Sequence, residues 1–176
     1  QKENAVLALN ALEELDRLGW TTTMEQRKDG LLHTSWKGRF TVINKKPLFI
    51  VDGAHNAGAA DKMAESVRHY FNGKKLIYIM GVFADKEYKI VLEKTAHFAE
   101  KIYTIETPDN PRALPAEELA KAARVYNSSA ESTKSIKDAV EKAFSCAGDD
   151  ENSVILEFGS LSFIGALTNA VEEYVG

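Results

Sequence analysis

The stretch Leu48-Phe-Ile-Val-Asp-Gly-Ala-His-Asn56 decides how this chain is read. A short apolar, β-branched run ending in a carboxylate reads as a buried strand; Gly53 permits a tight turn, and Asn56 is a natural cap for a following helix. In a strand–turn–helix unit the N–H groups of the helix start point outward, a geometry that receives anions. Within it Asp52 could accept hydrogen bonds from ribose hydroxyls while His55 donates to a phosphate. Equally, Asp52 and Asn56 could merely cap the helix, with His55 an ordinary loop histidine.

Toward the C-terminus, short apolar strands alternate with helices. Strands are predicted at Leu48 to Asp52, Leu76 to Met80, Lys101 to Ile105 and Val154 to Phe158, with helices over 56–71, 86–98, 115–124, 134–146 and 160–174. Such alternation predicts βαβ crossovers and an α/β fold: an open, mainly parallel sheet with helices on both faces. A further short strand is predicted near Arg124 to Asn127. Toward the N-terminus, Phe40-Thr-Val-Ile43 and Leu48 to Val51 flank Asn44-Lys-Lys-Pro47 and read as a β-hairpin at the sheet edge. Before it, Val6, Leu9, Leu12 and Leu15 recur at helical spacing, so a helix covers 3–18, and Thr23-Met-Glu-Gln26 is a capping box that opens a shorter helix stopping near His33. The chain therefore divides into a helical segment, residues 1–35, and an α/β domain, residues 36–176.

Ligands of an open parallel sheet collect beyond the carboxyl ends of its strands. Three other places qualify there or beside the hairpin. Trp36-Lys-Gly-Arg-Phe40 presents Arg39, a planar fork donor suited to phosphate or to stacking on a base, unless it is a simple surface arginine. In Thr107-Pro-Asp-Asn-Pro-Arg-Ala-Leu-Pro115 the prolines stiffen the loop and hold Arg112 at the sheet edge, either as a carboxylate clamp or as part of a rigid connector. In Phe158-Gly-Ser-Leu-Ser-Phe-Ile-Gly165, strand, Gly-Ser and helix again follow one another, and Ser160 is a natural helix cap that needs no other explanation.

Composition excludes several classes. With 176 residues, 44% hydrophobic and 27% charged, the chain can build a core without disulfides or structural metal. No apolar run spans a bilayer, and no secretion signal opens the chain. Lys and Arg number 22 against 26 Asp and Glu, a net charge of −4, so no global positive field attracts nucleic acid. The single cysteine, Cys146, fits a reducing compartment, the cytoplasm, and reads as a small buried hydrophobe. No phosphate loop of the G-x-x-x-x-G-K-[ST] type and no G-x-G-x-x-G is present. His33, His55, His69 and His97 fall on different elements, so no metal-ligand spacing arises. A nucleotide-contacting domain without its own phosphate loop is the reading these facts favour.

Taken in order, W-x-G-R-F (36–40), D-G-A-H-N (52–56), N-P-R-A-L-P-A-E-E-L (110–119) and G-S-L-x-F-I-G (159–165) resemble the C-terminal part of the folylpolyglutamate synthase family, often bifunctional with dihydrofolate synthase, in the Mur ligase superfamily. The opening E-N-A-x-x-A-L-x-A-L-E-x-L (3–15) resembles the end of that family's central ATPase domain. The resemblance implies a Rossmann-like domain whose phosphate loop lies in a separate, N-terminal ATPase partner domain. It also implies that Asn4 contacts adenine, that Arg39 and Asp52 bind the nucleotide, and that His55 approaches its phosphates. Arg112 and Ser160 would hold the incoming glutamate, and this chain would supply neither a catalytic residue nor a metal ligand. The implied enzyme is a cytoplasmic monomer of folate and one-carbon metabolism that uses ATP, Mg²⁺, folate and L-glutamate. In it the γ-phosphoryl group passes to a folate carboxylate and glutamate's amine then displaces phosphate from the acyl phosphate. Two departures stand out: Ala57-Gly58 replaces the family's common proline, and D-N-P-R (109–112) also resembles the amino-acid-adding peptidoglycan ligases. Those ligases are the nearest alternative; a non-catalytic α/β binding module is the other.

Overall fold

Six strands form one sheet among the residues that the computed structural model describes, 2–176. They are β1 (Thr41–Lys45), β2 (Leu48–Val51), β3 (Lys75–Met80), β4 (Lys101–Thr104), β5 (Ala130–Ser132) and β6 (Ser153–Phe158). Their spatial order is β1-β2-β6-β3-β4-β5; β1 runs antiparallel to β2 and every other pair is parallel. The helices are α1 (Lys2–Arg17), α2 (Met24–Leu32), α3 (Ala57–Tyr70), α4 (Tyr88–Thr95), α5 (Ala116–Ala123), α6 (Ile136–Ala147) and α7 (Ile164–Val175). The last strand, β6, is thus inserted between β2 and β3.

Two cores follow from this order. Progress from β2 through β3 and β4 to β5 runs in one direction, and right-handed crossovers place α3, α4 and α5 on one face. There Met63, Val67, Leu92 and Leu119 pack with Ile50, Tyr78, Val154 and Leu156. The return from β5 to β6 reverses direction and puts α6 on the opposite face, where Val140, Phe144 and α7's Leu167 pack with Phe49, Ile77, Ile79 and Ile155. Covered on both faces, β3 and β6 are almost wholly buried, which is why their sequences read as continuous apolar runs.

The chain divides between Lys37 and Gly38 into two compact units. In the first, α1 has no buried residue. A polar clasp joins its end to α2: Asp16 accepts the Thr22 N–H at 2.9 Å and pairs with Arg27, whose Nε donates to Thr22 Oγ1 at 2.8 Å. Thr23 and Gln26 form the expected reciprocal capping box, with bonds of 3.2 and 2.8 Å.

Local details depart from the sequence expectations. Phe40 takes φ +48° and belongs to the turn before the hairpin, so β1 starts at Thr41 and runs to Lys45. The strand expected at Arg124 to Asn127 is instead a turn that closes α5: Arg124 and Asn127 donate to the carbonyls of Ala120 and Ala123, both at 2.9 Å. Ala130–Ser132 pairs with β4 in its place, because Ala130 can be buried there while Val125 and Tyr126 stay in solvent. The helix expected over 86–98 is shorter, leaving residues 81–87 as a loop at the carboxyl end of β3, and Leu161–Phe163 forms a 3₁₀ turn ahead of α7.

Gly159, just past β6, has φ +122°, and a Cβ there would lie 2.4 Å from the Gly81 carbonyl oxygen. Gly73 also has positive φ, +77°, but faces open space. Gly159→Ala is expected to lower stability by about 3 kcal/mol or more, and Gly73→Ala by about 1 kcal/mol. Urea unfolding followed by circular dichroism measures both; equal midpoint shifts would contradict the close approach of the β3 and β6 ends.

Candidate functional site

The point where β6 enters between β2 and β3 is where connections leave toward opposite faces, and a crevice opens there beyond the strand ends. Three turns border it: Asp52–Asn56 after β2, Gly81–Glu87 after β3, and Gly159–Ser162 after β6. Close packing sets their spacing. A Cβ on Gly53 would overlap Leu161, and one on Gly81 would overlap Ile105 and Phe163.

Asp52 organises the first turn. Its Oδ2 accepts the Phe40 N–H and its Oδ1 the Ala54 N–H, both at 2.8 Å. The Gly53 N–H donates to the Gly38 carbonyl at 2.8 Å, so the segment carrying Arg39 is fastened to the end of β2. Arg39 itself is exposed. Burial pushes the Asp52 carboxyl above its ordinary range, while the two N–H donors and the Arg39 charge pull it back.

The helix start after this turn is partly occupied. Asn56 Oδ1 accepts the Ala59 N–H at 2.9 Å, and the Ala57 N–H donates to Glu87 Oε2 at 3.2 Å. Two of α3's outward donors are therefore engaged by the protein, one by a carboxylate that the helix dipole favours. His55 Nδ1 donates to the Gly53 carbonyl at 2.7 Å, since a carbonyl can only accept; this leaves Nε2 as the ring's other polar atom.

A cleft of about 400 Å³ collects His55, Phe83, Lys86, Arg112, Gly159, Ser160, Leu161 and Ser162. Two backbone bonds lock its far wall: Ala84 N–H to the Arg112 carbonyl at 2.8 Å and Leu114 N–H to the Val82 carbonyl at 3.0 Å. The Arg112 guanidinium sits 4.8 Å from the Phe83 ring centre and forks onto Asp85 with bonds of 3.2 and 2.5 Å, which hold the Asp85 carboxyl below its ordinary range. Ser160 is buried; its Oγ accepts the Ser162 N–H at 3.2 Å and lies 2.8 Å from Ser162 Oγ. The cap expected of Ser160 and a place on the cleft wall are thus both present in one residue. Cationic groups, a histidine and two hydroxyls facing one small space suit a compact anion such as a carboxylate or phosphate.

The structure thus gathers the expected residues into two groups. His55, Arg112 and Ser160 line one cleft; Arg39 and Asp52 are joined through the Phe40 turn. Asn4 lies on α1, in the other compact unit. Phe83, Asp85 and Lys86 are site residues that the sequence reading does not single out, because it starts a helix at residue 86; their signal is their position just beyond the carboxyl end of β3. That reading also leaves out Glu157, an acid inside the apolar run Val154-Ile-Leu-Glu-Phe158 and fully buried in the structure. Among the described residues no group of three or more His, Cys, Asp or Glu could hold a metal ion, and no helix is long and apolar enough to cross a membrane.

An open-sheet α/β domain with an anion-receptive cleft at its switch point is the class that fold and site define. More particularly, residues 38–161 match the family model "Mur ligase, glutamate ligase domain", and the chain belongs to that family. The dihydrofolate synthase/folylpolyglutamate synthase of Bacillus subtilis is 28% identical over 165 residues, 93% of this chain and 37% of that protein. A folylpolyglutamate synthase of Lacticaseibacillus casei is 27% identical over 115 residues, 65% of this chain and 27% of that protein. Among solved structures, E. coli FolC in complex with DHPP and ADP matches with a TM-score of 0.83 at 22% identity, covering 100% of this chain and 40% of that one, a likeness of fold. The chain therefore spans well under half the length of these relatives.

Asp52→Asn is expected to destabilise the chain by about 1–3 kcal/mol, because an amide cannot accept from both Phe40 and Ala54 and its NH₂ would face a donor. Hydrogen exchange at the Phe40 amide should accelerate with it. Unaltered exchange and an unaltered urea midpoint would remove Asp52 from its organising role.

Proposed function

We propose that residues 36–176 form the glutamate- and nucleotide-contacting domain of an ATP-dependent ligase that adds glutamate to folate. In the same reading residues 1–35 are the helical end of its ATPase domain. The observation that carries this is the convergence of Arg112, Ser160 and His55 on one cleft at the switch point, in a chain whose curated relatives are folylpolyglutamate synthases. Related solved structures hold ADP in one case and AMPPNP with L-glutamate in another. The amino-acid-adding peptidoglycan ligases remain the neighbouring branch, and the folate relatives favour the first reading.

In the proposed reaction a folate carboxylate oxygen attacks the γ-phosphorus of ATP, the bond to ADP breaks, and an acyl phosphate forms. The amine of L-glutamate then attacks the acyl carbon, phosphate leaves with the C–O bond electrons, and the nitrogen loses a proton to give the amide. The role of this chain is to position the partners. Arg112 and Ser160 would hold glutamate's carboxylates and fix the amine's approach, a gain of proximity and orientation rather than of acid–base chemistry. Arg39, Asp52 and the Nε2 of His55 would meet the nucleotide. In this reading the Mg²⁺ that neutralises phosphate charge is held mainly by the ATPase domain.

On this reading the 176-residue chain alone adds no glutamate to folate, because the phosphate-gripping half lies elsewhere. In the full-length ligase, Arg112→Ala should raise KM for glutamate roughly tenfold to a hundredfold, the loss of a charged hydrogen bond, with a smaller change in KM for ATP. Arg39→Ala should do the reverse. Steady-state kinetics with labelled L-glutamate measure both. Activity of the isolated chain, or identical effects of the two variants on both substrates, would overturn the assignment.

A further inference from the structure

Glu157 is the next-to-last residue of β6, the strand paired on both sides, and it is 0% exposed. In register it lies between Val51 of β2 and Ile79 of β3, and its carbonyl accepts the Asp52 N–H at 2.9 Å. Neither carboxyl oxygen has a hydrogen-bond partner. Strand alternation puts its side chain on the Ile155 face, whose core includes Val51, Ile79, Phe163 and Leu167; the titratable groups of that face are Tyr103, one strand beyond Ile79, and Cys146, packed against the cluster. The charge that acts on it is that of Asp52.

Two neighbouring carboxyls in a water-poor setting do not both ionise readily. Their surroundings are unequal. Asp52 receives two backbone N–H bonds and the field of Arg39, whereas Glu157 receives nothing that would favour a charge. We propose that Glu157 is a positioning residue, held as the uncharged acid at the β6 position whose carbonyl receives the Asp52 N–H, so that the paired ends of β2 and β6 carry one negative charge. When Glu157 gives its proton to solvent, repulsion weakens the Asp52 bonds to Phe40 and Ala54, and with them the turns that present Arg39 and His55. The charge assignment stands by itself; its consequence for nucleotide binding rests on the reading of Arg39 and Asp52 given above.

Burial first, and the Asp52 charge second, push the Glu157 carboxyl well above its ordinary range. The folded chain thus keeps a proton that the unfolded chain releases, so this group's contribution is most favourable below the ordinary glutamate range. It then declines as pH rises, until the folded carboxyl itself ionises. The test is a pH titration of the 176-residue chain with ¹³C-labelled glutamate side chains, reading the Phe40 and Ala54 amides in the same samples. One carboxyl, identified by its absence in Glu157→Gln, should titrate above the ordinary range, and both amides should shift with the same midpoint. In Glu157→Gln the amide step should vanish and the decline of the urea midpoint with pH should flatten. Glu157 titrating in the ordinary range, or amides that do not follow it, would overturn the proposal. Should the variant fail to fold, sequential assignment of Glu157 in the unaltered chain keeps both criteria in force. Failure here leaves the glutamate kinetics of Arg112→Ala untouched, so the two readings fall separately.

Discussion

The parallel insertion of β6 between β2 and β3 is the constraint on which the rest depends. It brings a strand formed late in the chain against two formed early, and it is sealed by contact between the Gly159 and Gly81 turns, where no Cβ fits. Because β6 arrives from the β5 side by a reversed path, α6 and α7 cover one face while α3, α4 and α5 cover the other. The same reversal opens the crevice, so the feature that completes the core also creates the place for a ligand.

Electrostatics at that edge are divided between two carboxylates with different tasks. Asp52 spends both oxygens on backbone donors and in doing so fastens Arg39's turn to the sheet. Asp85 holds Arg112 against Phe83 in the loop opposite. The Asp85 pairing is exposed, so it is worth little as stability and more as orientation of a guanidinium that an incoming carboxylate could recruit. An acid buried without donors, Glu157, is joined to the first of these arrangements through its carbonyl, which accepts the Asp52 N–H.

Alternating apolar strands and helices made the sheet, its mainly parallel sense and the hairpin edge legible, because covered strands must be apolar at nearly every position and turns need Gly, Pro, Asn or Asp. Boundaries were less legible. Val125 and Tyr126 are strand-like by residue type, yet the turn after α5 satisfies their N–H groups while Ala130 fills the space beside β4. The loop after β3 was not legible because Asp85, Lys86 and Glu87 resemble the polar start of a helix. The place of Phe83 and Lys86 in the cleft wall depends on the bridge from Phe83 to Ala113, distant in sequence.

By itself the sequence determined the fold class, the strand ends worth inspecting and the resemblance to a ligase family, since these rest on periodicity and on short motifs that act locally. Only the tertiary structure decided that His55, Arg112 and Ser160 share a cleft, that Asp52 is first an anchor for the Arg39 turn, and that Glu157 lies buried beside it. Those facts depend on strand order, and order is set by which crossovers can close around a common core, a property of the whole chain rather than of any stretch within it.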